Sequence, residues 1–118
     1  GRNEELITLN TGSVTTDSSA QLLPITSIIE SVSYRIVTPI TTAATFSIGD
    51  DSPQTTRFVN GAVVGTPTAV ALTFWDSTGA TGPVNATAKK IRITTNVNPA
   101  AGAIRVTVFY RQTLAPGS

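Results

Sequence analysis

Hydrophobic and polar residues alternate most clearly between Ile28 and Thr38. There Ile28, Val32, Tyr34 and Ile36 fall on one side of an extended chain, and Ser31, Ser33 and Arg35 on the other. Only Glu30 interrupts the apolar side. The stretch Gly102–Arg111 repeats the pattern, with Ile104, Val106, Val108 and Tyr110 set against Arg105, Thr107 and Arg111. A period of two in β-branched and aromatic residues predicts half-buried strands. Two long strands, one early and one late, predict the walls of a sandwich.

Shorter elements fill the interval. Glu5–Leu9 reads as a first, edge strand, and residues 1–19 as a whole as a lead-in strand and linker. Val14–Ser19 is polar. Pro24, which cannot donate to a ladder, stops the apolar Gln21–Leu23, and Pro39 follows the long strand and is expected to turn its last residue into an edge or a turn. Thr45–Gly49 alternates with Phe46 and Ile48 inward. Arg57–Val59 reads as a brief bridging strand closed by the turn pair Asn60-Gly61. Ala62–Thr68 is expected to be irregular, Ala69–Trp75 a strand, and Asp76–Ala86 a long loop. Lys90–Val97 alternates once more, grouping Ile91, Ile93, Thr95 and Val97. About eight strands separated by Gly, Pro and Asn turns predict a single all-β domain, an antiparallel β-sandwich of jelly-roll type. No helical period persists.

Composition narrows the function. The 118 residues suffice for one core without staples. Charged residues are only 13%, about half the usual share. A net charge of +1, with no basic run beyond Lys89-Lys90, leaves no footprint for nucleic acid. No apolar run approaches the ~20 residues that span a bilayer, so no membrane insertion is expected. The opening Gly1-Arg2-Asn3-Glu4-Glu5 lacks the order of a signal peptide and reads as the start of a mature or excised piece. Histidine and cysteine are both absent. That removes nucleophile–histidine relays and zinc sites of the usual kind. No cofactor is expected.

Candidate carboxylates are few. Glu30, alone on an apolar strand face, is expected to pair with an arginine or to face a subunit contact. Asp50-Asp51 lack the spacing of a dedicated calcium loop and read as a solvated turn. Trp75 ends a strand opposite Val70, Leu72 and Phe74 and is followed by Asp76. An indole beside acids is how a pyranose face is stacked and its hydroxyls bonded, so Trp75, Asp76, Asp50, Asp51 and Arg57 form a candidate glycan contact. The structural alternative has Trp75 capping the sandwich or filling an interface. Phe109 points away from Ile104, Val106 and Val108 and is a candidate interface residue.

Ser33–Thr38, Ile40-Thr41, Ala44–Gly49, the acidic loop and Arg57-Phe58 together resemble a small β-domain of phage particles. It lies at the C-termini of fibre and spike proteins of tailed phages and in gene-transfer-agent head spikes. Ile91–Thr94 and Gly102–Tyr110 follow the same plan, so the resemblance covers roughly residues 20–111. Asp50-Asp51-Ser52-Pro53 departs from the glycine-rich loop of that pattern. The resemblance implies a virion surface domain presented at the end of an appendage, and the absence of histidine, cysteine and a convincing carboxylate pair predicts that it is non-enzymatic. Its partners would be itself, as a homo-oligomer and most readily a trimer, other virion proteins, and host surface polysaccharide. Two alternatives stand beside it: a capsid decoration or cement domain, and a carbohydrate-binding module of a secreted enzyme.

Overall fold

The computed structural model describes residues 1–52, 54–65, 68–71, 84–85 and 87–112, with backbone alone at 68–71, 84–85 and 112. Nine strands form among them: β1 (Arg2–Thr8), β2 (Thr15–Asp17), β3 (Ser27–Thr41), β4 (Thr45–Asp50), β5 (Val59–Val63), β6 (Thr68–Ala71), β7 (Val84–Asn85), β8 (Ile91–Thr95) and β9 (Ala101–Gln112). No helix occurs among the described residues. One sheet runs β1-β9-β3-β6, with β7 also on β3; the other runs β2-β8-β4-β5. Every strand pair is antiparallel. That interleaving of early and late strands across two sheets is the double Greek key of a jelly roll.

The expected alternation builds the core. On the inner face Val32, Tyr34 and Ile36 of β3 lie opposite Val108, Val106 and Ile104 of β9, and Ile104 in turn lies opposite Ile7 of β1. From the second sheet come Phe46, Ile48, Ile91 and Ile93, all buried. Tyr34 and Phe46 join the two layers edge to face, centroids 5.2 Å apart and planes at 89°. Each fully buried aliphatic or aromatic side chain contributes ~1.5–3 kcal/mol.

Bulges correct the reading of β3. Ile29 is opposite Tyr110 and Ser31 opposite Phe109, which leaves Glu30 as an extra residue. An extra residue inverts the parity. Ser27 and Ile29 are therefore buried ahead of it, and Val32 and Tyr34 behind it. Ile28 is only half-buried, and Glu30 is exposed rather than set in the apolar face. Nor does Pro39 end the strand. The ladder skips it, passing from Thr38 opposite Ala103 to Thr41 opposite Ala101. Gly102 sits within that gap at φ +153°, where an added Cβ would meet Leu9 Cδ1 at 2.9 Å and Ile40 Cγ1 at 3.0 Å.

Four further expectations change. Asn60-Gly61 is not a hairpin turn but a bulge inside β5, because Val59 pairs with Ile48 and Ala62 with Phe46. Gly61 supplies the φ of 71° the bulge requires. The polar Val14–Ser19 contains β2, an edge strand on β8, and Val84-Asn85, inside the expected loop, pairs with Ser27 and Ile28. Val97 is 42% exposed. It lies beyond the end of β8, where Asn96 Oδ1 accepts from Ala44 N at 2.8 Å.

Candidate functional site

The period that buries Phe46 and Ile48 runs one step further and buries Asp50. Its Oδ1 accepts from the backbone N–H of Ser52 at 3.0 Å and of Gln54 at 2.8 Å. Its Oδ2 lies 3.5 Å from Arg57 Nη1, with side-chain exposures of 1% for Asp50 and 3% for Arg57. The Arg57 guanidinium also sits 5.0 Å over the Phe58 ring. Asp50 is thus no solvated turn residue. It clamps the 51–57 loop, and neither it nor Arg57 presents its side chain to the surface. Gly49 leaves room for the loop backbone at Gln54 and Thr55.

The other nominated residues scatter. Asp51 is half-buried, its N–H donating to Lys90 O at 3.1 Å. Trp75 and Asp76 lie outside the described residues. Glu30 and Phe109 are exposed, Phe109 at 39%, and Ser31 beside Glu30 pairs with Phe109. No glycan pocket is assembled by the described members of the set.

A different constellation emerges on the outer face of the five-stranded sheet. Arg35 of β3 is directly opposite Arg105 of β9, which is directly opposite Leu6 of β1. One row along come Ser33, Thr107 and Glu4, and in the next Ser31, Phe109 and Arg2. Glu4 serves two arginines, Arg2 at 3.3 Å and Arg105 at 3.2 Å, and accepts from Thr107 Oγ1 at 2.9 Å. The Thr107 bond does most to hold the Glu4 carboxyl below its ordinary range; slight desolvation opposes it, and the two guanidiniums assist. Among the described residues no acid pairs with Arg35 or Arg111, and both are exposed. The alternation had already placed Arg35, Arg105 and Arg111 outward. What it could not show was that two of them are neighbours.

The outer face of the four-stranded sheet pairs its charges, although Thr94 Oγ1 on it is buried without a hydrogen-bond partner. Arg92 of β8 grips Asp17 of β2 through Nε at 2.7 Å and Nη2 at 3.0 Å. That double bond is the main reason the Asp17 carboxyl lies low and the Arg92 guanidinium high. Thr15, Thr94 and Ser47 form a hydroxyl row beside it. Lys89 Nζ donates to Ser52 O at 2.6 Å, tying down the loop. At the rim, Glu5 of β1 accepts from Ser19 N, Ser19 Oγ and Ala20 N at 2.8–3.1 Å. Burial pushes the Glu5 carboxyl up, but these bonds outweigh it and leave it low.

No family profile and no curated protein sequence matches the chain. Solved structures do resemble it. The capsid of Ralstonia phage GP4 contains a chain that aligns with a TM-score of 0.61 at 15% identity, over 97% of this chain and 84% of that one. A chain of the cyanophage Pam1 capsid asymmetric unit aligns with a TM-score of 0.55 at 20% identity, over 96% of this chain and 87% of that one. At these identities the likeness is one of fold. The jelly roll accounts for most of each of those chains.

Proposed function

We propose that this chain is a non-enzymatic structural subunit of a phage particle, a jelly roll that decorates the capsid shell and binds its neighbours there. One observation carries the reading: the same sandwich spans most of each of two phage capsid chains, so in those particles the fold makes up most of a small chain. A chain of that size suits the role of a clasp or cover on a capsid. The sequence resemblance to fibre and spike ends agrees on a virion component and differs on its place. Adhesion to glycans, the finer part of that resemblance, draws no support from Asp50 and Arg57, whose side chains are buried in the fold. Self-association into a closed ring, three-fold as phage fibres are, belongs to the same proposal.

Electron microscopy of intact particles carrying a labelled copy of the chain tests the reading. Density repeating at lattice positions of the head is the expected result. Label confined to tail appendages moves the chain to a fibre, and its absence from purified particles rejects a virion role. Light scattering that finds a monomer at high concentration rejects the ring alone.

A further inference from the structure

We infer that the outer face of the five-stranded sheet docks a carboxylate-bearing surface of a different chain, an assignment that rests on the virion reading above. Like charges placed directly across two strands destabilise a sheet. Arg35 and Arg105 hold that relation on its two longest strands. Glu4 compensates Arg105 from one side, and no described acid compensates Arg35 from the other. Arg111 extends the charge, while Phe109 at 39% exposure and Leu6 at 42% supply apolar area between the arginines. Both lysines of the chain lie elsewhere, next to β8. Arginine and aromatic residues without lysine make up the composition of protein interfaces, and the planar guanidinium fork fits a carboxylate in two bonds.

Charge also selects the occupant. A second copy meeting this face with its own would set arginines against arginines. Its other surfaces offer little better, because Glu4, Glu5, Asp17 and Asp50, four of the chain's seven acids, are already bonded. Nucleic acid is answered by the net charge of +1 and by the absence of lysine from this face. A carboxylate-rich protein surface remains.

Arg35→Glu is the discriminating variant, since it converts the like pair into an opposite one and keeps the fold. The purified protein is titrated with poly-L-glutamate while amide resonances are followed by NMR. In the wild type, shifts should concentrate at Ser33, Arg35, Arg105 and Thr107. In Arg35→Glu the affinity should fall at least about tenfold with the melting midpoint unchanged or raised, while Thr15→Glu on the other sheet changes nothing. Occupancy on virions grown with Arg35→Glu should fall in parallel. Shifts spread equally over both sheets, or full occupancy of the variant, overturn the inference. So does tighter Arg35-dependent binding of duplex DNA, which makes the occupant nucleic acid. A self-association abolished by Arg35→Glu makes it a second copy. Absence of the wild-type chain from particles removes the virion reading instead, and the titration still decides this face.

Discussion

The four-stranded sheet closes its charges on itself, whereas the five-stranded sheet leaves them open. On the first, Asp17 and Arg92 form a two-bond pair on the outer face, and Asp50 and Arg57 are paired and buried at the end of β4. On the second, Glu4 is the one acid among the described residues that pairs with an arginine, standing among Arg2, Arg35, Arg105 and Arg111, with Glu30 at the neighbouring bulge. Both faces belong to one core and are built from similar strands. What separates them is how many of their charges the chain itself pairs. A completed face has done its work on folding; an incomplete one has bonds left to make.

Breaking the buried pair of the four-stranded sheet should have the largest effect. Arg57→Ala strands a buried carboxylate and should cost about 3–5 kcal/mol in urea unfolding. Arg35→Ala on the open face should stay within about 0.5 kcal/mol. Equal losses would erase the contrast between the sheets. Gly49→Ala should come next, at about 1–3 kcal/mol, because the new Cβ collides with loop backbone at Gln54 and Thr55 rather than with a side chain that can swing away.

The walls of the sandwich were legible because alternation is local. β4, β8, β9 and the second half of β3 needed only their own residues. Bulges were not, since Glu30 and Asn60-Gly61 are surplus only with respect to a partner strand. Thr15–Asp17 looked like linker because an edge strand with a polar outer face carries little apolar signal. Asp50 was within reach: its parity matches Phe46 and Ile48, yet acids are read as turn formers at a strand end. The Arg35–Arg105 neighbourhood was out of reach, because it depends on register between residues 70 positions apart.

A smaller effect comes with acid. Glu5 and Asp17 have carboxyls held low in the folded chain, so each adds stability above the ordinary carboxylate range. That stability is fully present above about pH 5 and is lost as the pH falls through the lowered folded values. Both groups are near solvent, so each should contribute less than about 1 kcal/mol. Glu5→Gln and Asp17→Asn should each reduce the difference in unfolding free energy between pH 7 and pH 3. An unchanged difference would mean that the rim and the completed face owe nothing to these bonds.

The smallest expected change carries the opposite sign. Arg35→Glu should stabilise the isolated protein by about 0.2–1 kcal/mol, the usual gain when an opposite charge replaces a like one across a strand pair. Arg105 already has Glu4 on its β1 side, so the gain should lie toward the lower end. Raising the salt concentration should shrink it, because both side chains are near solvent and screening weakens repulsion and attraction alike. Making Glu4→Gln first should enlarge it, since Arg105 then has no other acid partner among the described residues. A chain optimised only for its own fold would already carry an acid at position 35. Unfolding measurements showing that Arg35→Glu weakens the fold at low salt would mean that Arg35 serves the fold itself, and the open face would then be as complete as the other.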